Sequence, residues 1–114
     1  LKSAYSIKSL PVMLVGDMNS RPDTEAYRIL TSTLRDARLY SKGETVDGRY
    51  ATSPDFRWVE SEADYRQDGH VIDYLMISRQ ITVNNYKMVW TSTNLCPYGE
   101  FISDHNAVIV NVGI

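Results

Sequence analysis

Cysteine is almost absent. Cys96 is the only one in 114 residues, so no disulfide can close within the chain and no cysteine-based zinc cluster can be assembled from it. Long apolar runs are missing too: none reaches the ~20 residues that a membrane-spanning helix needs. No charged-then-apolar signal segment opens the chain. There is no basic stripe and no surplus of positive charge, since 12 Lys and Arg stand against 14 Asp and Glu for a formal net charge of -2. That balance argues against a non-specific nucleic-acid binder, which gains affinity by neutralising many phosphates. It leaves room for an enzyme that handles nucleic acid locally. Internal repeats and low-complexity linkers are also lacking.

The composition, 43% hydrophobic and 23% charged, is that of a globular protein. The length suits one domain and is short for two. Because the chain opens on Leu1 rather than Met, it is expected to be a fragment of something longer.

Periodicity divides the chain into segments. Val12 to Val15 reads as a buried strand that stops at Gly16, Asp17, Met18 and Asn19. In "DTEAYRILTSTL" the residues Ala26, Ile29, Leu30 and Leu34 recur at helical spacing, with Ser20 or Asp23 as cap and Pro22 in the first turn. The opening unit is therefore strand, loop, helix. From Arg38 to His70, Gly43, Gly48, Pro54 and Gly69 punctuate a charged, aromatic stretch that reads as loops with short strands. "VIDYLMIS" is a strand candidate, "ITVNNYKMVWT" another with a more alternating pattern, and "NAVIVNVGI" the last. Such near-continuous apolar strands imply a sheet covered on at least one face, the early helix supplying part of the cover.

Three acids stand at strand ends. Asp73 lies between Ile72 and Tyr74 in an apolar run, where an unpaired charge costs several kcal/mol, on the order given for buried ions. Its candidate partners are His70 and His105, or Arg79 and Arg66 in a purely structural ion pair. A carboxylate bonded to an imidazole fixes its tautomer and raises its pKa, which prepares a histidine for catalysis. Asp104 stands beside His105 and, pointing another way, can serve a cation. Asp17 and Asn19, two apart, share one side of an extended chain. Their local alternative is a turn or a helix cap. Carboxylates with a carboxamide and water are the oxygen ligands that magnesium or manganese prefers, and the set suggests water attack on phosphorus.

"VGDMNSRPD", "VIDYLMIS" and "SDHNAVIV", in that order, resemble the last three motifs of the endonuclease/exonuclease/phosphatase family, which includes DNase I, abasic-site endonucleases, neutral sphingomyelinases and inositol-phosphate phosphatases. The resemblance implies an α/β fold, part of a four-layer α/β sandwich of the DNase I-like kind. Its C-terminal half would carry a mainly antiparallel or mixed sheet and a covering helix. It also implies that Asp17 positions or activates the attacking water and that Asn19 binds a phosphate oxygen. Asp104 would contribute to a Mg2+ or Mn2+ site, and His105 would stabilise the transition state or act as general acid/base with Asp73 orienting it. Met18 stands where the family usually has Phe. Nothing upstream of Val12 supplies the family's early Asn and metal-binding Glu, so residues 1–114 are expected to be the C-terminal portion of one such domain.

The expected substrate is a phosphate ester, with nucleic acid, lipid and inositol phosphate not distinguished. The expected partner is the missing N-terminal half. A rival reading is a catalytically incomplete half-domain that pairs with a partner chain or self-associates. His70 reads as loop or surface, and a zinc site from His70, Cys96 and His105 matches no familiar ligand spacing. Phe56, Trp58, Tyr65, Trp90 and Tyr98 read as core or half-buried packing, or else as a base-stacking or lipid-facing rim near the site.

Overall fold

The computed structural model describes residues 10–43, 45–46, 52–53, 71–89 and 103–114. Along the chain run β1 (Met13–Asp17), α1 (Glu25–Thr33), β2 (Arg35–Asp36), a 3-10 helix (Ala37–Leu39), β3 (Thr45–Val46), β4 (Asp73–Ile77), β5 (Thr82–Val89) and β6 (Ala107–Gly113). The three motif-bearing segments are thus strands or strand ends. β2 follows the helix with no loop and has no counterpart in the sequence reading.

α1 begins where Thr24, in extended backbone, accepts the N–H of Tyr27 on its hydroxyl at 3.3 Å. This satisfies one of the donors that a helix start leaves open. Glu25 in the first turn suits the helix dipole and accepts from Arg28 Nε at 2.9 Å. The expected caps have other partners: the carbonyl of Ser20 accepts from the Tyr74 hydroxyl at 2.8 Å, and Asp23 pairs with Arg21 at 3.1 Å. The helix also shows a different face from the one its aliphatic spacing suggests. Tyr27, Leu30 and Thr31 are half-buried, whereas Ala26 and Ile29 are exposed. Tyr27 sets this phase, because its ring lies 5.3 Å from that of Tyr74 and its hydroxyl donates to Asp36 at 2.9 Å.

β4 is the middle strand of the first sheet, antiparallel to β1 on one side and to β2 on the other. In the second sheet β5 is central, parallel to β3 and antiparallel to β6. Successive residues of β4 serve different layers, as the period-two geometry of a strand requires. Tyr74 meets the helix, while Leu75 and Ile77 pack with Ala37, Ile81, Val83, Val110 and Val112 between the sheets. A second cluster, Tyr86 and Met88 with Val108 and Val110, continues that interior. Side chains as fully buried as Ile77 and Ile81 each contribute roughly 1.5–3 kcal/mol.

β5 keeps its buried set through an irregularity. Ile81 and Val83 are buried, then Tyr86 and Met88, and the change of phase coincides with a register shift between Val83 and Asn85. The displaced Asn84 carbonyl accepts the N–H of Gly43 at 2.7 Å. A β-carbon at Gly43 would stand 2.7 Å from that oxygen, so the close approach requires glycine.

One expectation fails. Val12 to Val15 is not buried; exposure runs from 38% at Leu14 to 63% at Val15. β1 is the edge of its sheet, with β4 as its hydrogen-bonded neighbour among the described residues. An apolar run is buried only where other atoms cover it. Among the described residues no helix is long and apolar enough to cross a membrane.

Candidate functional site

β1 and β4 end side by side, and their register sets Asp17 directly opposite Asp73. Two residues shape the turn that follows. Gly16 has φ +148° and Asn19 φ 45°, a left-handed region that glycine enters freely and that asparagine tolerates better than most residues. The Asn19 N–H donates to Asp17 Oδ1 at 2.8 Å, and the Met18 N–H to the Ile72 carbonyl at 2.8 Å. Asp17 therefore fills the turn role weighed for it with one oxygen and keeps Oδ2 for other contacts. The Tyr74 hydroxyl lies 2.8 Å from the Ser20 carbonyl and 2.7 Å from that of Val71, tying the loop to the start of β4.

His105 arrives from the other sheet, just before β6, with its backbone N–H donated to Ser103 Oγ at 3.0 Å. Its Nδ1 lies 2.8 Å from Asp73 Oδ2 and its Nε2 3.9 Å from Asp17 Oδ2. Of the partners open to Asp73 that lie among the described residues, the imidazole of His105 is the one in contact; Arg66 and His70 lie outside them. Two carboxylates facing each other across a strand pair repel, and a cationic ring between them relieves this. Burial pushes the His105 pKa down, but the hydrogen bond and charge of Asp73, then the charges of Asp104 and Asp17, outweigh it and raise the pKa above its ordinary 6.5. The raised value keeps a larger fraction of the ring protonated near neutrality.

Ligand-type atoms of Asp17, Asp73 and His105 all lie within 4.8 Å of one another. Two carboxylates and an imidazole are a donor set that a hard divalent cation accepts, manganese tolerating the nitrogen more readily than magnesium. Asp104, half-buried beside His105, is not in that trio, although its charge acts on the ring. Asn19 is exposed next to Asp17. A pocket of about 230 Å³ opens beside Asp73, walled by Val15, Gly16, Leu75, Asn106 and Val108.

Thr52 and Tyr74 contact this site and were not singled out from the sequence. Thr52 Oγ1 accepts the N–H groups of Ile72 and Asp73 at 3.0 and 3.1 Å. It sits in the aperiodic stretch, where no spacing marks it. Tyr74 had a signal, because a buried phenol needs a partner for its hydroxyl. Cys96 and the aromatics Phe56, Trp58, Tyr65, Trp90 and Tyr98 lie outside the described residues.

The family model described as Endonuclease/Exonuclease/phosphatase family matches residues 2–105. No curated protein matches the chain. Among solved structures, an endonuclease/exonuclease/phosphatase from Bacteroides vulgatus superposes with a TM-score of 0.72 at 20% identity, covering 91% of this chain and 36% of that one. A functionally unknown conserved protein from Enterococcus faecalis V583 gives 0.65 at 18%, covering 90% and 36%. An endonuclease/exonuclease/phosphatase family protein from Leptotrichia buccalis C-1013-b gives 0.60 at 22%, covering 93% and 36%. The chain thus spans little more than a third of each of these structures, and the likeness establishes its DNase I-like α/β fold.

Proposed function

The chain belongs to the endonuclease/exonuclease/phosphatase family, and on that premise we propose that it is the C-terminal portion of a divalent-metal-dependent phosphoesterase domain. The reaction is hydrolysis of a phosphodiester or phosphomonoester by direct attack of water. The observation that carries this reading is the 2.8 Å contact between Asp73 and His105, with the Asp17 carboxylate at the other ring nitrogen.

Asp17 orients the attacking water and accepts its proton on Oδ2. Asn19 donates from its carboxamide to a phosphoryl oxygen. His105, held by Asp73, presents Nε2–H to the charge that develops on the phosphoryl group or the leaving oxygen. Asp104, which stands outside the Asp17–Asp73–His105 trio, would contribute a carboxylate to a Mg2+ or Mn2+ site. Such an ion supplies charge neutralisation and a lower pKa for the attacking water. The rest of the domain selects among nucleic acid, lipid and inositol phosphate; the net charge of -2 favours a substrate other than bulk DNA.

The test is Mg2+- and Mn2+-dependent hydrolysis of duplex DNA, a generic phosphodiester, sphingomyelin and an inositol phosphate. His105→Ala should lower the rate by roughly 10²–10⁴-fold. Hydrolysis that ignores the divalent cation, or that survives in His105→Ala, would overturn the reading.

One observation favours a second reading, the half-domain that works only when paired. The edge strand β1 is exposed on both faces. A pocket of about 660 Å³ lies between the residues that lead into it and α1, lined by Leu10, Val12, Ile29 and Leu34. The occupant is the remainder of an endonuclease/exonuclease/phosphatase domain, given the 36% coverage of the solved structures. Size-exclusion chromatography of the 114-residue chain should then show association, and a clean monomer would count against it.

A further inference from the structure

We propose that Thr52 is a positioning residue for the Asp73–His105 pair, a single buried threonine that ties together the two chain segments carrying the acid and the imidazole. Its side-chain oxygen accepts from the N–H groups of Ile72 and Asp73, at 3.0 and 3.1 Å. Its backbone carbonyl accepts the N–H of Asn106, the residue after His105, at 2.7 Å. Thr52 is fully buried, and Asn106 is nearly so.

The need for such a tie follows from the topology. Asp73 opens β4 in one sheet and His105 precedes β6 in the other. β4 and β6 are not neighbours in a ladder, so no strand pairing fixes one against the other. Among the described residues the sheets meet chiefly through apolar packing among Leu75, Ile77, Val83, Val110 and Val112, which is strong but non-directional. A hydrogen bond such as Asp73–His105 weakens steeply with distance and angle, and a misplacement of about 1 Å in a catalytic group can cost roughly 10²-fold. Thr52 supplies three directional bonds across this gap. A threonine that merely satisfied the core would need no contact with both segments.

The catalytic meaning of the pair rests on the phosphoesterase reading, but its geometry can be observed without any substrate. The His105 Nδ1 proton, hydrogen-bonded to Asp73, should give a downfield, slowly exchanging NMR signal in the 114-residue chain. In Thr52→Val, which keeps the shape and removes the acceptor, that proton should exchange at least about 10-fold faster or disappear, while the amide signals of Tyr86 and Val110 hold their positions. Thr52→Ser restores the acceptor and should restore the signal. If Thr52→Val fails to fold, Thr52→Ala removes the oxygen without adding bulk and is read the same way. An Nδ1 proton equally protected without the Thr52 oxygen, its absence from the unaltered chain, or failure of Thr52→Ser to rescue it would each overturn the proposal. The kinetic counterpart is a fall in kcat of roughly 10²-fold at unchanged KM in Thr52→Val. Lack of hydrolysis by the unaltered protein would remove the phosphoesterase reading and leave the NMR result standing.

Discussion

Asp36 in β2 and Asp73 in β4 are one strand apart in the same sheet, yet their carboxylates meet different company. Asp36 is 2% exposed. It accepts from the Tyr27 hydroxyl at 2.9 Å, the Arg38 N–H at 3.0 Å and the Arg38 guanidinium at 3.3 Å. Its charge is neutralised on the helix side of the sheet. Asp73 faces the opposite layer, holds the ring of His105, and has the Asp17 carboxylate across the strand pair. Its side chain is 21% exposed. One acid is saturated and serves the fold. The other holds a polarised imidazole whose second nitrogen lies 3.9 Å from the Asp17 carboxylate, an arrangement of the kind found at functional sites.

Substitutions should separate the two. Asp36→Asn breaks a buried pair and should cost about 3–5 kcal/mol in urea denaturation, with the His105 signals little changed. Tyr27→Phe removes one charged hydrogen bond from the same group and should cost about 1.5–3 kcal/mol. The Tyr27 phenol, pushed up to about 12 by burial first and then by Asp36, should titrate earlier in Asp36→Asn, as ultraviolet absorbance would show. Thr24→Ala, distant from both acids, sets the background at about 1 kcal/mol through loss of the helix cap.

The smallest change in stability, under about 1 kcal/mol, is expected for Asp73→Asn, because the group is partly solvated. Its signature lies in pH. In the cation-free chain His105 has a folded pKa above 6.5, so its contribution to stability is complete below that ordinary value and is lost as pH rises through the folded pKa. Asp73→Asn should lower the pKa seen in an NMR titration and flatten the pH dependence of stability over that window. An unchanged titration would show that Asp73 does not control the ring.

The same contrast explains what the sequence made legible. Asp17, Asn19, Asp73, Asp104 and His105 could be picked out because a polar residue at the end of an apolar run breaks a pattern. Asp36 broke no pattern, lying in "LRDARL" where acid and base alternate. Its burial follows from the long reach of Tyr27, a residue that the aliphatic spacing of α1 left off the inward face. Thr52 was illegible because a single hydroxyl among charged and aromatic residues has no period, and its partners lie twenty and more residues downstream. The exposure of β1 was misread for a related reason. Hydrophobicity records what a segment can bury, whereas the neighbouring strand that buries it is written elsewhere.

The irregularity in β5 makes the strand behave like a sentence with one spare letter. Ile81, Val83, Tyr86 and Met88 face inward only because Asn84 is counted out of step. Deleting either Asn84 or Asn85 would restore strict alternation with the same four residues inside, whereas deleting Lys87 would make Tyr86 and Met88 adjacent and turn one of them outward. The tolerance of this strand to a shortened chain is therefore concentrated at Asn84 and Asn85, and the loss of Asn84 is also felt outside the strand. The toll falls elsewhere, on Gly43, which would lose the carbonyl it leans on, and on Asn111, whose side chain accepts from that of Asn84.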